Sequence, residues 1–374
     1  MVVFDVDCGP QQGIKMLNDM EFWTLLRQEF LPLRPSQYDI TSVCNLTCEG
    51  CLFFSGDDYL GHRDVADLQH IDTFFSGERA RGVRYGYFGG AEPSLAENKL
   101  MIANRHIPYG VVFTNGIKRL STEIDYRVHV SMWGSPERSR ELRGADIMAK
   151  QIKNYRNDPR AVFVFTLTAR NLDDIPYIAQ VCADNGLALT FNHYSPTTKY
   201  LDFISSGAGA DQYHITSTAD NNLILGADHL RRAQDSIALL LEEPGRRILY
   251  DIDFNRLMHD PAGLYPDAQA PGAVTRDCGV LLTPALRHYH TDLSESRGKC
   301  CTPNIDCGSC RLYAQSFASM LTRATREMRQ DGGQQRLIKL WRLWCELFLN
   351  DDRLRWQQLA ASVSSPPLSE TLSC

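Results

Sequence analysis

Three cysteines near the N-terminus have the spacing of metal ligands. Cys44, Cys48 and Cys51 follow the pattern Cys-x3-Cys-x2-Cys, directly after residues 38–41, which are predicted to form a strand entering a loop. A mononuclear zinc site or a four-cysteine cluster would need a fourth ligand nearby, and neither cysteine nor histidine follows before His62. The spacing therefore favours a [4Fe-4S] cluster with one iron open to a substrate or cofactor over three incidental buried thiols.

This cysteine loop resembles that of the radical S-adenosylmethionine (SAM) enzymes. In that family three cysteines at this spacing hold the cluster, and the amine and carboxylate of SAM chelate the fourth iron. The resemblance implies reductive cleavage of SAM to a 5'-deoxyadenosyl radical, which takes a hydrogen atom from the substrate. The sequence departs from the family at Gly50, where an aromatic residue usually precedes the third cysteine, and we expect residues 52–54 to supply the apolar wall instead.

A second motif follows the second predicted strand, where residues 88–93 read Phe-Gly-Gly-Ala-Glu-Pro. The glycines let backbone groups approach a ligand closely, and the carboxylate of Glu92 can accept from an ammonium group. Alone, this stretch would be interpreted as an ordinary Gly-Pro turn. It is similar, however, to the Gly-Gly-Glu-Pro segment with which radical SAM enzymes bind the amino group of SAM. The resemblance therefore implies that Gly89, Gly90 and Glu92 bind SAM.

The composition limits the class of protein. The chain has 374 residues, a formal net charge of −6 and a pI of about 5.9, so no basic surface argues for nucleic-acid binding. Its apolar runs are too short to span a membrane, and its N-terminus lacks a secretory pattern, so we expect a soluble cytoplasmic protein. The 12 cysteines cluster at metal-ligand spacings, which favours metal binding over a disulfide scaffold.

Apolar strands alternate with helical stretches from residue 38 to about residue 195, which predicts an α/β fold with a parallel sheet. Six such units match the partial (β/α)6 TIM-like barrel that the radical SAM resemblance implies, and sites in such barrels lie at the C-terminal ends of the strands. The predicted strands are residues 38–43, 83–88, 110–114, 127–132, 161–168 and 188–193, and the predicted helices include 64–75, 143–156 and 172–184.

The same patterns predict the order of domains along the chain. Residues 200–220, rich in small and polar residues, are predicted to form a long loop that closes over the site. The predicted domains are an N-terminal helical extension (1–37), the radical SAM core (38–200), a loop and helix connection (201–276), an auxiliary-cluster domain (277–312), and C-terminal helices with a tail (313–374).

Polar residues at the ends of the later strands are further candidates. The family contacts the ribose and carboxylate of SAM with short polar side chains at the fourth and fifth strand ends, which here are Ser131 and Asn171. Each could equally cap the following helix. At the end of the sixth strand, His193 and Tyr194 are candidates for moving a proton. His193 could instead contact adenine, and a structural histidine fits the sequence as well.

A second group of cysteines lies between residues 278 and 310. Residues 280–292 are predicted to form a hairpin that carries Cys278 towards a Cys-x2-Cys loop, and four thiolates so arranged suit zinc or a [4Fe-4S] cluster. Downstream of a radical SAM core, the arrangement resembles the auxiliary-cluster extension called SPASM, or its shorter form, twitch. The predicted ligands are Cys278, Cys301, Cys307 and Cys310, with Cys300 as the alternative to Cys301.

The resemblance implies an enzyme that uses SAM, a reductase such as flavodoxin or ferredoxin as electron donor, and an auxiliary cluster. We expect oxidation of a small molecule or natural-product intermediate, with the auxiliary cluster as electron acceptor. Alternatives are a maturase that crosslinks a ribosomal peptide, and a redox-neutral epimerase or rearrangement enzyme in which Cys310 or Cys182 returns a hydrogen atom. From a different class, a non-catalytic zinc-binding protein would use both cysteine groups structurally.

Overall fold

A computed structural model describes residues 18–54, 61–207, 216–268, 270, 273–280, 283, 286–298, 300, 302 and 304–351. The chain divides into two compact units, one formed by Met1–Pro32 with Asp351–Cys374 and the other by Leu33–Asn350. In the first unit, helix α1 (Asp19–Leu25) begins at a capping box. The Asn18 side chain accepts from the backbone N–H of Glu21, and the Glu21 carboxylate accepts from the N–H of Asn18.

The second unit is built on one sheet of seven parallel strands in the order β6-β5-β4-β3-β2-β1-β7. Among the described residues β6 does not pair with β7, so the sheet is open. The strands are β1 (Arg34–Asp39), β2 (Val83–Gly89), β3 (Tyr109–Thr114), β4 (Arg127–Met132), β5 (Ala161–Leu167), β6 (Leu189–His193) and β7 (His288–Tyr289). This topology confirms the predicted α/β fold with an open, partial barrel of six strands in chain order.

Helices connect most of these strands, as the alternating pattern predicts. Residues 115–126, between β3 and β4, contain no helix. The helix predicted over 143–156 forms only over 148–155, because Gly144 takes a left-handed conformation, with φ +76°, and ends a separate helix at Arg143. The helices are α2 (Leu68–Ala80), α3 (Glu97–His106), α4 (Pro136–Arg143), α5 (Met148–Tyr155) and α6 (Ile175–Asp184).

The first strand lies four residues earlier than predicted. After Asp39 the chain leaves the sheet and runs beside the turn that follows β2. The backbone N–H of Ala91 donates to the carbonyl of Thr41 at 2.9 Å, and that of Glu92 donates to the carbonyl of Val43 at 3.1 Å. Residues 40–43 therefore connect the two predicted binding motifs instead of extending the strand.

The long loop predicted for residues 200–220 is wrong over its first part. Helix α7 (Thr198–Ser206) begins there, because the Thr197 hydroxyl caps it by accepting from the N–H of Tyr200 at 3.1 Å. It ends at Gly207, with φ +63°, and residues 208–215 lie outside the described residues. Helices α8 (Ala227–Glu242) and α9 (Ile252–Met258) follow.

The predicted C-terminal helices are present as α10 (Tyr313–Arg326) and α11 (Gly333–Phe348). Side chains from β2 and β4 cap the carbonyls at the end of α11. Tyr85 donates to the carbonyl of Phe348 at 2.8 Å, and His129 Nε2 donates to that of Leu347 at 2.7 Å. Helix α11 is thereby fixed against the sheet. No helix in the described part of the chain is long and apolar enough to cross a membrane.

Candidate functional site

A cavity of about 390 Å³ lies against the inner face of the sheet and the loops at its C-terminal edge. Predicted site residues from four separate segments border it, namely the cysteine loop, the turn after β2, the end of β4 and the end of β6. They are Cys44, Cys48, Cys51, Gly89, Gly90, Glu92, Ser131, His193 and Tyr194. Asn171, Cys182 and the second cysteine group are not among the described residues that line the cavity.

The cysteine loop is fixed by a buried carboxylate that the sequence analysis did not select. Glu49 is fully buried, and its backbone N–H donates to the carbonyl of Leu142 at 2.8 Å. Its carboxylate accepts from the backbone N–H of Ser217 at 2.9 Å and from that of Thr216. Residues 216 and 217, which follow α7 in the chain, are thus held against the loop that carries the three thiols.

The electrostatics of the loop fit a bound cation. Burial raises the pKa of Cys44, and so does the charge of Cys48, while the N–H of Leu46 lowers it. Burial raises the pKa of Cys51 to about 12, again with a contribution from Cys48. The three thiols are thus close enough to repel one another as thiolates. A thiolate donor set of this kind suits an iron-sulfur cluster, whose positive charge would relieve that repulsion.

A cation of the protein also faces these thiols. Arg143 is the last residue of α4, and its Nε–H donates to the Sγ of Cys48 at 3.4 Å. The same guanidinium donates through Nη1 to the carbonyl of Ser131 at 2.6 Å and stacks over Trp133, 5.9 Å from the ring centroid. The sequence analysis missed Arg143 because nothing in its spacing relates it to the cysteines.

Four hydrogen bonds hold the Glu92 carboxylate. Oε1 accepts from the backbone N–H of Ser94 at 3.0 Å, from its hydroxyl at 2.5 Å and from the hydroxyl of Thr114 at 2.6 Å. Oε2 accepts from the backbone N–H of Asn115 at 2.7 Å. The Glu92 side chain therefore joins the turn after β2 to the end of β3, and it places a fixed negative charge on the cavity wall.

The two polar candidates at the ends of β4 and β5 differ in their surroundings. Ser131 lines the cavity. Both ends of the Asn171 side-chain amide form hydrogen bonds with backbone groups. Its oxygen accepts from the N–H of Thr168 at 2.8 Å, and its nitrogen donates to the carbonyls of Trp133 at 3.0 Å and Thr166 at 2.8 Å. These bonds give Asn171 a role in holding the two strand ends together.

His193 pairs with a second buried histidine, His259, and their contacts determine the position of the protons. His259 Nδ1 lies 2.8 Å from the carbonyl oxygen of Asn255, which only accepts, so this nitrogen carries a proton. In the neutral ring Nε2 of His259 then accepts from Nε2–H of His193, at 2.9 Å. Nδ1 of His193 is therefore left unprotonated, and it has no hydrogen-bond partner among the described residues.

Burial keeps this histidine pair neutral. It holds the pKa of His193 well below the usual range, and the charges of His259 and Arg311 act in the same direction. Burial likewise lowers the pKa of His259 to about 4, although the carbonyl of Asn255 raises it. His193 lines the cavity, so it presents a neutral ring with an unpaired lone pair beside that space.

Tyr194 also lines the cavity, but its hydroxyl is already held in a hydrogen bond. It donates to the backbone carbonyl of Gly50 at 3.0 Å. Burial raises the pKa of Tyr194 well above its usual range, and the neighbouring Tyr200 and Glu49 raise it further. The tyrosine thus keeps its proton and holds the cysteine loop from the β6 side.

The second cysteine group is assembled from two chain segments. Cys278 and Cys307 are buried, and the N–H of Cys310 donates to the carbonyl of Cys307 at 3.3 Å. Burial raises the pKa of Cys310 to about 12, and the charges of Cys278, Cys300 and Cys307 also raise it. Cys310 is therefore close enough to the other three thiols for their charges to act on it. Cys301, the predicted ligand, lies outside the described residues.

The hairpin predicted for residues 280–292 is replaced in part by the edge strand β7. This strand pairs in parallel with β1, and after it Tyr289 forms an antiparallel bridge with Glu295. Residues 281, 282, 284 and 285 lie outside the described residues. The segment therefore adds a seventh strand to the sheet, which the sequence analysis missed.

The second cysteine group is attached to the end of β6. The backbone N–H of Arg311, which directly follows Cys310, donates to the hydroxyl of Ser195 at 2.9 Å. The Arg311 guanidinium donates to the carbonyls of Met258 at 3.1 Å and Asp260 at 2.7 Å. These bonds fix the Cys307–Cys310 loop next to the segment that carries His193 and Ser195.

Comparisons with known proteins give matches in structure and none in sequence. No protein-family model and no curated protein matches the chain. Among solved structures, the chain is similar to SuiB of Streptococcus suis bound to S-adenosylmethionine, with 13% identity and a TM-score of 0.47 over 90% of this chain and 70% of SuiB. It is also similar to anSMEcpe with bound AdoMet, with 14% identity and a TM-score of 0.47 over 87% of this chain and 95% of that one.

A third similar structure covers less of either chain. It is TsrM from Kitasatospora setae, a radical S-adenosylmethionine methyltransferase with cobalamin and a [4Fe-4S] cluster bound. The identity is 12% and the TM-score 0.32, over 48% of this chain and 40% of TsrM. Each of these three proteins is solved with, or named for, S-adenosylmethionine.

Proposed function

We propose that this protein is a radical SAM enzyme that oxidises a small molecule or natural-product intermediate. The observation that carries the proposal is the common cavity. It is bordered by the thiols of Cys44, Cys48 and Cys51, by the Gly89–Glu92 turn and by Ser131. The ring of His193, whose Nδ1 has no hydrogen-bond partner among the described residues, borders it as well. We assign the thiols to a [4Fe-4S] cluster and the turn with Ser131 to SAM.

The arrangement of the chain's own groups supports this assignment. Arg143 donates to Cys48 and holds the backbone of Ser131, so one guanidinium links the expected cluster ligand to the expected SAM contact. When bound, the cofactors would supply a carbon-centred radical that removes a hydrogen atom and a second metal centre that takes up an electron. The protein's task is to position the substrate and to exclude water.

We assign the second metal centre to four thiols near the end of β6. Cys278, Cys307 and Cys310 keep their predicted roles. For the fourth ligand we propose Cys300 instead of Cys301, because the charge of Cys300 contributes to the raised pKa of Cys310. The bond between Arg311 and Ser195 holds this group beside the cavity wall, which suits uptake of an electron from a bound substrate.

Oxidation of a C–H bond next to a hydroxyl or amine also releases a proton, and His193 is placed to accept it. Its Nδ1 is unprotonated and unpartnered among the described residues, while Nε2 is held by His259. Because burial disfavours the charged ring, a proton received at Nδ1 would be passed on from His193, while the hydrogen bond to His259 stays intact. Cys182 is buried in α6 away from the cavity lining, so it does not support return of a hydrogen atom.

The test is anaerobic reconstitution with iron and sulfide, followed by metal quantitation and a SAM-cleavage assay with reduced flavodoxin or dithionite as electron donor. We expect about eight irons per chain in the wild type. The Cys44→Ala, Cys48→Ala, Cys51→Ala triple variant is expected to keep about four irons and to form no 5'-deoxyadenosine. Cys345→Ala, at a buried position in α11, is the matched control and should behave as the wild type. Zinc in both groups with no SAM cleavage would overturn the proposal.

A further inference from the structure

Two histidines and an aspartate form a separate cluster at the edge of the sheet. Strand β7 pairs with β1 so that His288 lies opposite Gln37, and alternation along the strands then places His288, His290 and Asp39 on the same face as Gln37. The stacked rings of Tyr38 and Tyr289, 5.7 Å apart, belong to the residues of opposite orientation. The strand pairing therefore brings two imidazoles and one carboxylate together.

These groups are within reach of a single ion. One potential ligand atom from each of Asp39, His288 and His290 lies within 4.8 Å of the others. The Oδ2 of Asp39 is 3.0 Å from Nε2 of His288. Ligands about 2.0 Å from a tetrahedral ion are about 3.3 Å apart, so only a small adjustment separates this arrangement from shared coordination.

One ring nitrogen of His288 has no hydrogen-bond partner among the described residues. Its side chain is 10% exposed, and while Nε2 faces Asp39, Nδ1 is buried without a hydrogen-bond partner among the described residues. An unpaired buried polar atom is unfavourable, and no hydrogen bond from the described part of the chain relieves it here. Replacement of the hydrogen between Nε2 and Oδ2 of Asp39 by an ion would make both atoms ligands and leave the ring proton on Nδ1.

A further pair of residues supports His290. The ring of His62 stacks on that of His290 with centroids 3.9 Å apart and planes 9° apart. His62 Nδ1 lies 2.8 Å from Oδ2 of Asp292, whose Oδ1 accepts from Ser294. These contacts fix the orientation of the His290 ring, as the surroundings of metal ligands commonly do.

We propose that Asp39, His288 and His290 bind one divalent transition-metal ion of the zinc class. Two imidazoles and a carboxylate suit zinc and ferrous iron, and they differ from the all-thiolate cysteine groups. A metal here would tie β7 to β1 immediately before the chain enters the loop of Cys44. This site does not depend on the proposed radical SAM function.

The test uses the cluster-loaded protein dialysed against zinc under anaerobic conditions. Zinc is quantified separately from iron, and zinc X-ray absorption identifies its ligands. We expect about one zinc per chain with nitrogen and oxygen neighbours at about 2.0–2.1 Å, whereas a cysteine site would show sulfur at about 2.3 Å. The His288→Ala, His290→Ala variant should bind no such zinc, while His70→Ala, at an exposed position in α2, should bind as the wild type.

A conservative substitution guards against misfolding of the double variant. Asp39→Asn keeps the size of the side chain and should weaken zinc binding at least tenfold while iron content and far-UV circular dichroism stay unchanged. Zinc bound only by sulfur would overturn the proposal. Equal zinc binding in the wild type, the double variant and Asp39→Asn would overturn it as well.

Discussion

The hydroxyl of Tyr194 lies where a side chain at Gly50 would have to be. A Cβ atom built on Gly50 would lie 2.1 Å from Tyr194 Oη and 2.8 Å from its Cζ. Gly50 has φ +57°, and its carbonyl accepts from the same hydroxyl at 3.0 Å. The ring from the end of β6 thus occupies the space beside the third cysteine, which leaves room only for glycine at position 50.

This relationship predicts that Gly50→Ala lowers the free energy of unfolding by much more than the backbone strain alone would. The left-handed conformation costs an alanine about 1–2 kcal/mol, and displacement of the buried Tyr194 ring adds about 1–3 kcal/mol. Gly186→Ala is the matched control, because Gly186 has φ +64° and nothing within 4 Å of its would-be Cβ. Urea denaturation of the two reduced, metal-free variants compares them. Equal losses of unfolding free energy would refute the packing argument.

The Gly50 pairing also marks the limit of what the sequence predicts. The cysteine loop and the Gly89–Glu92 turn are local patterns, so both could be selected from the sequence, the loop by its spacing and the turn by its resemblance to the radical SAM segment. The apolar wall was expected from residues 52–54, next in sequence. Leu52 and Phe53 do line the cavity, but Tyr194 fills the space beside Gly50 from 144 residues away. A contact between residues so far apart in the chain cannot be predicted from a local sequence pattern.

The other misses have the same physical origin. His259 pairs with His193 across 66 positions, so neither residue alone indicated a dyad. Strand β7 is two residues long and owes its existence to pairing with β1, and β1 itself is polar along much of its length. In both strands, tertiary pairing outweighs intrinsic propensity, and the fold class was still predictable because it rests on the more apolar strands β3, β4 and β5.

Glu92→Gln should impair both SAM cleavage and stability. An amide oxygen can replace Oε1, but the amide nitrogen would face the donating N–H of Asn115, now 2.7 Å from Oε2. Leaving that buried N–H unpaired and removing the charge should cost about 2–3 kcal/mol of unfolding free energy. If Glu92 also contacts the SAM ammonium, 5'-deoxyadenosine formation should fall at least tenfold.

The matched control for Glu92 is Glu137→Gln. The Glu137 side chain is 77% exposed in the first turn of α4, so the same change of charge should alter neither property measurably. Both variants are compared by urea denaturation and by the SAM-cleavage assay. A Glu92→Gln protein as stable and as active as Glu137→Gln would show that the buried hydrogen bonds are not needed.

Because His129 is buried, we expect it to make the folded protein less stable in acid. Burial lowers its pKa to about 3, although its bond to the Leu347 carbonyl raises it. In the unfolded chain the pKa is about 6.5, so below that pH the unfolded state gains a proton that the folded state does not bind. The folded state should therefore lose about 2 kcal/mol between pH 7 and pH 5 through this residue.

Urea denaturation at pH 7 and pH 5 tests the role of His129. His129→Gln retains a donor for the Leu347 carbonyl but cannot titrate, so its loss of stability between the two pH values should be about 2 kcal/mol smaller than that of the wild type. His70→Gln, at an exposed position, should show the wild-type dependence. A His129→Gln protein with the full wild-type dependence would contradict the prediction.

Substitution of single cysteines should identify the fourth ligand of the second cysteine group. The charge of Cys300 contributes to the raised pKa of Cys310, so the thiol of Cys300 lies near that of Cys310. Since adjacent cysteines rarely both point inward, we expect Cys300→Ala to lose about four irons and Cys301→Ala to keep about eight. Iron quantitation after reconstitution distinguishes the two, and SAM cleavage should persist in both because the first cysteine loop is untouched. Loss of iron in Cys301→Ala alone would reverse the assignment.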